Sequence, residues 1–178
     1  MGKIKNKKIG LFGGSFDPPH YGHYKISSKA IKYLKLDKLY WSVTKKNPFK
    51  MKSYFSLKQR IIKSKLITKK NKKIKVVNLD KLTKSSRTIS VLKYLVNKNK
   101  NSKFFLILGS DNLIKFHKWQ KWKEIAKLST LVVFSRKGFD RKAQKSTVFN
   151  DLSEDNIIYI KKFKIDISSS KLRKFYLK

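Results

Sequence analysis

Hydrophobic residues along the chain fall into two alternating kinds of segment. The first kind is a short run of apolar, β-branched and aromatic residues, which is typical of a buried strand. Such runs occupy residues 8–12, 38–43, 73–77, 103–108, 130–134 and 156–160. The second kind is longer and carries its apolar residues at helical spacing. These segments occupy residues 20–34, 57–68, 88–97, 116–128 and 169–177.

This alternation predicts an α/β fold with a doubly wound parallel sheet. A strand, a crossover helix and a second strand place the two strands parallel and the helix against one face of the sheet. In such sheets ligands bind beyond the carboxyl ends of the strands. Four predicted loops lie at that edge, at residues 13–20, 44–54, 109–115 and 135–155. No internal repeat or shift in composition divides the chain, so we expect a single domain over residues 1–178.

Length and composition exclude several classes of protein. A chain of 178 residues can bury a core without external staples. Cysteine is absent, which excludes disulfides, thiolate zinc sites and a cysteine nucleophile. The apolar run near the N-terminus is too short for a signal peptide, and no run approaches the roughly 18 apolar residues of a membrane span. We therefore expect a soluble, cytoplasmic protein with no membrane partner.

The charge balance has two interpretations. The chain carries 46 lysines and arginines against 10 acidic residues, a formal net charge of +36. Such a chain can bind nucleic acid through phosphate contacts. However, only five of the basic residues are arginines, whose planar fork suits phosphate and base recognition, and the lysines are spread along the whole chain. A codon bias toward A and T explains this pattern more simply, although a polyanionic partner stays open.

The stretch GGSFDPPHYGH at residues 13–23 predicts a phosphate-binding turn between a strand and a helix. Gly13 and Gly14 let the backbone turn sharply and approach a ligand closely. Two prolines then preset the start of the helix, whose N-terminal N–H groups and partial positive charge favour phosphate. His20 and His23 are three residues apart, so both rings can lie on one side of the first turn.

The stretch IDISSSKLRKF at residues 165–175 indicates a second anion site. Three serines precede a helical segment that carries Arg173, and hydroxyls, free N–H groups and a guanidinium at one helix start can bind an anion together. Serine is also a common helix N-cap, so ordinary helix initiation explains the same residues as well.

These two stretches resemble the signatures of the nucleotidylyltransferase superfamily. Its (H/T)xGH motif corresponds to HYGH at residues 20–23, and its ISSxxxR-like motif corresponds to ISSSKLR at residues 167–173. Within the superfamily, the longer string GGSFDPPHYGH is similar to that of bacterial nicotinate-nucleotide adenylyltransferases. Three further stretches agree in the expected order: WSVTKKNPFK at 41–50, LGSDNLIKFHKW at 108–119 and VVFSRKG at 132–138.

The resemblance implies a Rossmann-like nucleotidylyltransferase fold and a set of site residues. His20 and His23 would be the catalytic contacts to the ATP phosphates, with Gly109 and Asp111 at the adenosine ribose and Trp119 against the nicotinate ring. The residues implied for ATP binding are Gly13, Gly14, Ser15, Phe16, His20, His23, Gly109, Asp111, Ser168, Ser169 and Arg173. Those implied for substrate binding are Lys45, Lys50, Thr88, Trp119 and Arg136. The bare sequence also admits Trp119 as a core residue and Asp111 as a helix N-cap.

The activity that the resemblance implies is transfer of AMP from ATP to nicotinate mononucleotide in NAD biosynthesis, with nicotinate adenine dinucleotide and pyrophosphate as products. Attack of a phosphate oxygen on the α-phosphorus requires alignment of two polyanions and charge stabilisation rather than a covalent intermediate. Mg²⁺ would be bound mainly through the ATP phosphates, without a dedicated protein metal site. An oligomer is compatible with the sequence.

Two alternatives stay open. One is another adenylyltransferase with the same turn, such as the pantetheine-phosphate enzyme, and the other is a basic nucleic-acid-binding protein that kept the fold without turnover. The triplet Ser86-Arg87-Thr88 departs from the Ser-Tyr-Thr common in the family. This change could tune affinity or favour the amidated mononucleotide.

Overall fold

Six parallel strands form one sheet in the order β3-β2-β1-β4-β5-β6. The computed structural model describes residues 6–45, 53–161, 163 and 169–176. The strands are β1 (Lys8–Gly14), β2 (Lys38–Val43), β3 (Ile74–Val77), β4 (Lys103–Gly109), β5 (Thr130–Phe134) and β6 (Ile157–Ile160). The strand order reverses between β1 and β4, which makes the carboxyl ends of these two strands the topological switch point of the sheet.

Helices connect the strands and cover both faces of the sheet. They are α1 (Tyr21–Leu34), α2 (Leu57–Thr68), α3 (Asp80–Thr83), α4 (Thr88–Lys98), α5 (Ser110–Leu113), α6 (Trp122–Leu128), α7 (Asp140–Gln144), α8 (Thr147–Asp151) and α9 (Ser169–Tyr176), with 3₁₀ turns at Phe116–Lys118 and Glu154–Asn156. One apolar layer lies between the sheet and α1, and a second lies between the sheet and helices α4 and α6. The predicted doubly wound parallel sheet is therefore confirmed.

No helix in the described part of the chain combines the length and the apolar character that crossing a membrane requires.

The helix predicted over residues 116–128 is wrong as a single element. It consists of a 3₁₀ turn and helix α6, and the two are separated by Lys121, whose φ of 55° lies in the left-handed region. A residue in that conformation interrupts the helical hydrogen-bond ladder.

The loop predicted over residues 135–155 is also wrong, because it contains helices α7 and α8. Ala143 in α7 and Val148 in α8 are fully buried in the core. Their burial holds a mostly polar segment in two helical turns, since short helices gain most of their stability from packing.

Candidate functional site

A cavity of about 750 Å³ lies at the carboxyl ends of β1 and β4. Twelve of the residues singled out from the sequence line it: Gly13, Gly14, Ser15, Phe16, His20, His23, Thr88, Gly109, Asp111, Trp119, Arg136 and Ser169. Lys45 and Arg173 are not among its lining residues. Lys50 and Ser168 lie outside the described residues. The fold thus gathers residues from distant parts of the sequence at one opening.

The turn after β1 forms one wall of this cavity. A Cβ added to Gly13 would meet no atom within 4 Å, so the missing side chain leaves open space beside the backbone. Phe16 has a φ of 46°, which costs a bulky residue about 1–2 kcal/mol. Its ring stacks on the buried Trp41 with centroids 4.8 Å apart and meets His23 edge-on at 5.0 Å. This packing offsets the backbone strain and fixes the turn.

The two histidines of the turn lie against each other at the start of α1. Their ring centroids are 3.7 Å apart, and the backbone N–H of His20 donates to Nδ1 of His23 at 3.2 Å. Because this Nδ1 accepts a hydrogen bond, a neutral His23 ring carries its proton on Nε2. The first turn of α1 contains no acidic residue, so no carboxylate competes with an anion there.

His20 is buried, with 9% of its surface exposed. Burial, and secondarily the positive charge of Arg136, lower its pKa from 6.5 to about 4. Its Nδ1 atom is buried without a hydrogen-bond partner among the described residues. His20 is therefore a neutral ring at neutral pH, and it lines the cavity.

The depressed pKa of His20 predicts a stability change in acid. In the native chain, His20 becomes protonated as the pH falls through about 4, whereas in the unfolded chain it becomes protonated as the pH falls through about 6.5. The free energy of unfolding should therefore be fully retained above pH 6.5 and decrease as the pH falls toward 4. Urea unfolding at several pH values should show a shallower decrease for His20→Asn than for the wild type.

Nuclear magnetic resonance offers a direct check of the same shift, because the chain contains only three histidines. The imidazole signal that disappears in His20→Asn should titrate with a midpoint near pH 4 in the wild type. A midpoint of pH 6 or above would refute the prediction.

The end of β4 presents a carboxylate to the cavity. Asp111 Oδ2 accepts a hydrogen bond from Arg136 Nη1 at 2.6 Å, whereas Oδ1 is buried without a partner among the described residues. A Cβ on Gly109 would lie 2.5 Å from that Oδ1, so only glycine leaves the carboxylate in place. The helix N-cap is Gly109, so the alternative interpretation of Asp111 as an N-cap is wrong.

The loop that carries Arg136 is held by Asp140, which the sequence did not single out. Asp140 accepts hydrogen bonds from the Ser135 hydroxyl, the Tyr159 hydroxyl and the Arg136 backbone N–H. Burial acts to raise the pKa of this carboxyl, but the hydrogen bonds outweigh burial and lower it. Asp140 therefore stays ionised and fixes the backbone from which Arg136 reaches Asp111.

Trp119 lies between the core and the cavity. It is partly buried, packs against the core and lies with its ring centroid 5.0 Å from that of Phe116. It also lines the cavity. A core-anchored aromatic ring that also faces a cavity provides a rigid stacking surface.

Helix α9 is tied to the turn rather than standing apart as a second site. The Ser169 hydroxyl donates to the Pro18 carbonyl at 2.9 Å. Arg173 donates through Nη1 to the Asp17 carbonyl at 2.6 Å and through Nη2 to the Ser170 hydroxyl at 2.9 Å. These contacts place the start of α9 against the turn at residues 13–23. Arg173 contacts the turn but is not among the residues that line the cavity.

Sequence reasoning missed two further groups behind the cavity, Arg60 and Asp17, which are only 2% and 3% exposed. Arg60 shares the buried face of α2 with Ser64 and Thr68, four and eight residues further on. That spacing was a detectable signal, because it places a charged residue on the inner face of the helix. Nothing local distinguished Asp17 from an ordinary turn residue.

Comparison with known proteins agrees with this geometry. Residues 11–175 match the cytidylyltransferase-like family. The chain is 46% identical over 170 residues to a protein of Pelagibacter ubique (strain HTCC1062) named probable nicotinate-nucleotide adenylyltransferase, covering 96% of this chain and 94% of that relative. A relative of the same name from Agrobacterium fabrum is 39% identical over 150 residues, covering 84% and 80% of the two chains.

Solved structures show the same architecture. The nicotinic acid mononucleotide adenylyltransferase of Plasmodium falciparum, complexed with APC, superposes with a TM-score of 0.75 over 96% of this chain and 84% of that chain, at 21% identity. Its complex with NaAD gives the same TM-score at 22% identity, with the same coverage of both chains. At 21–22% identity, the similarity to these solved structures establishes the fold alone. Family membership rests on the relatives that are 46% and 39% identical in sequence.

Proposed function

Because the chain belongs to the nicotinate-nucleotide adenylyltransferase family of cytidylyltransferase-like proteins, we propose that it transfers AMP from ATP to nicotinate mononucleotide. The products are nicotinate adenine dinucleotide and pyrophosphate, an adenylyl transfer that serves NAD biosynthesis. The observation that carries the proposal is the 46% identity over 96% of the chain to a relative of that name. One domain built on the six-stranded sheet would supply the site, and an ATP-dependent reaction fits the cytoplasmic location expected from the sequence.

The chemistry of the cavity supports this proposal. Two polyanions must approach each other, so the site has to supply hydrogen-bond donors and positive potential without adding carboxylates at the point of reaction. The start of α1, His20 and His23 supply such donors on one side of the cavity. Asp111 would accept hydrogen bonds from the ribose hydroxyls of ATP, and Trp119 would stack on the nicotinate ring.

We propose that the reaction is a direct displacement. A phosphate oxygen of nicotinate mononucleotide attacks the α-phosphorus of ATP, the new P–O bond forms, and the bond to the β-phosphate oxygen breaks to release pyrophosphate. The attacking phosphate is already a nucleophile, so the protein acts by alignment and by offsetting charge. His20 is neutral at neutral pH in the structure, and a triphosphate bound beside it would raise its pKa, because a nearby negative charge favours the protonated ring.

We propose that Mg²⁺ enters this site with the ATP phosphates. The ion keeps several of its waters when it binds nucleotides and needs few protein ligands. Among the described residues, no cluster of three or more histidines and carboxylates forms a metal-binding group. Bound Mg²⁺ would neutralise part of the pyrophosphate charge, while the protein residues hold the triphosphate and the acceptor in place.

The activity is tested by pyrophosphate release from ATP and Mg²⁺ with a panel of acceptors. We expect rapid release with nicotinate mononucleotide, and none with phosphopantetheine. Nicotinamide mononucleotide belongs in the panel because Arg87 replaces the usual aromatic residue at the cavity. Turnover with phosphopantetheine instead would assign the chain to a different adenylyltransferase.

The nucleic-acid alternative is tested with the same preparation. Salt-dependent retention on DNA together with no pyrophosphate release from any acceptor would replace the proposed enzyme by a binding protein. Retention that accompanies normal turnover would show only that the charge of +36 attracts polyanions.

A further inference from the structure

Arg60 of helix α2 connects three separate segments of the chain from beneath the cavity. Nη1 donates to the Ser15 carbonyl at 2.6 Å and to the Thr44 carbonyl at 2.8 Å. Nη2 donates to the Lys45 carbonyl at 3.3 Å, and Nε donates to the Phe55 carbonyl at 3.1 Å. One guanidinium therefore links the turn after β1, the segment after β2 and the segment that leads into α2.

Asp17 braces the same arrangement from the turn. Its carboxylate accepts hydrogen bonds from the backbone N–H groups of Tyr54, at 2.8 Å, and Phe55, at 2.9 Å. The backbone of Phe55 is thus held at two points, because its N–H donates to Asp17 and its carbonyl accepts from Arg60. The segment before α2 is consequently fixed to the turn by two charged side chains.

Asp80 braces the segment after β2. It accepts hydrogen bonds from the Thr44 hydroxyl at 2.6 Å and from the Lys45 backbone N–H at 2.8 Å. Burial lowers the pKa of the Arg60 guanidinium, and the charges of Asp17 and Asp80 oppose that effect. A buried cation flanked by two carboxylates keeps its charge and strengthens each hydrogen bond that it donates.

We propose that Arg60 is a positioning residue that holds the turn after β1 and the segment after β2 at a fixed separation. This inference rests on the proposed function, since it concerns how the two substrates are brought into line. Ser15 and Thr44 line the cavity, whereas Arg60 is not among its lining residues. Arg60 therefore acts through the backbone of both walls without contacting substrate. A single nitrogen, Nη1, joins the two walls.

The geometry leads to a specific kinetic expectation. A small shift of one wall relative to the other misaligns the attacking oxygen and the α-phosphorus, which costs rate even when each substrate still binds. Arg60→Lys supplies one point charge instead of a planar fork and cannot reach carbonyls of all three segments. We expect kcat to fall roughly 10- to 100-fold in Arg60→Lys and Arg60→Ala. The KM for each substrate should change less than about threefold.

The experiment measures steady-state kinetics at a temperature where circular dichroism shows each variant fully folded. Methylguanidinium is added to Arg60→Ala at a non-denaturing concentration, because it can occupy the space left by the missing guanidinium. Recovery of kcat by methylguanidinium but not by methylammonium would support positioning by the planar fork. Arg141→Ala is the matched control, because Arg141 is an exposed arginine on α7 and should keep wild-type kinetics.

Three results would overturn the proposal: a folded Arg60→Ala with kcat close to wild type, a loss of activity that merely follows the folded fraction, or variants that never fold even with methylguanidinium. The last two would make Arg60 a purely structural residue. Failure of the proposed function itself is distinguished by the wild type, which would then release no pyrophosphate with nicotinate mononucleotide.

Discussion

Replacing His23 with alanine should lower kcat by roughly 100- to 1,000-fold, the usual effect of removing one donor that stabilises transition-state charge. His23 lies at the start of α1 with its Nδ1 occupied by the His20 N–H, so Nε2 is the nitrogen that carries the proton of the neutral ring. The Nε2–H group of His23 can donate a hydrogen bond to phosphate oxygens as negative charge develops on them in the transition state. Its loss should affect the transition state more than the ground state, so kcat falls more than KM rises.

Two further substitutions separate the structural and chemical roles of this ring. An asparagine at position 23 can reproduce the Nδ1 acceptor and retain the hydrogen bond from the His20 N–H, whereas a glutamine can place an amide donor near Nε2. We expect His23→Asn to retain thermal stability without activity, and His23→Gln to recover part of kcat. His117→Ala is the control, because His117 is exposed and does not line the cavity. Unchanged turnover in His23→Ala would refute the catalytic assignment.

Replacing Gly109 with alanine should raise the KM for ATP by roughly 10- to 100-fold. The added Cβ would lie 2.5 Å from Asp111 Oδ1 and must displace this carboxylate. Hydrogen bonds to a charged group contribute about 1.5–3 kcal/mol, which corresponds to that range of affinity. The displaced carboxylate could no longer accept hydrogen bonds from the ribose, although the phosphate-binding turn would be untouched.

A double-mutant cycle tests this mechanism. If Gly109→Ala acts only by moving the carboxylate, then Asp111→Ala alone should match the Gly109→Ala, Asp111→Ala double variant in its KM for ATP. The quantity measured is the KM for ATP at saturating nicotinate mononucleotide. Asp155→Ala, which removes an exposed carboxylate outside the cavity, should behave as wild type. Additive effects would contradict the proposed link between the two residues.

Most strands and helices could be predicted because their signals are local. The bounds of α2, β2 and β5 agree with the predicted segments. The strands β2 and β5 are short, mostly apolar runs, and α2 is a helix-length segment without proline or glycine. The failures at residues 116–128 and 135–155 have the opposite cause. A left-handed Lys121 and the burial of Ala143 and Val148 depend on what packs against those segments, and no short stretch of sequence contains that information.

The candidate site also has a part that the sequence predicted and a part that depends on packing. Family membership and the fold are confirmed, and twelve of the predicted site residues line one cavity, while their individual roles stay predictions. Short motifs predicted these residues, because a phosphate-binding turn needs glycines and a helix start within a few consecutive residues. Arg173 donates to the Asp17 carbonyl and is not among the residues that line the cavity, and its role in ATP binding stays a prediction.

The sequence by itself determined the alternating strands and helices, the turn at residues 13–23 and the family to which they point, because each depends on residues that are neighbours in the chain. Only the tertiary structure decided that Arg60 joins Ser15, Thr44 and Phe55, and that Gly109 makes room for the Asp111 carboxylate. A buried guanidinium donates to the carbonyls that the packed backbone places within its reach. That placement depends on the fold as a whole, and spacing along the chain does not encode it.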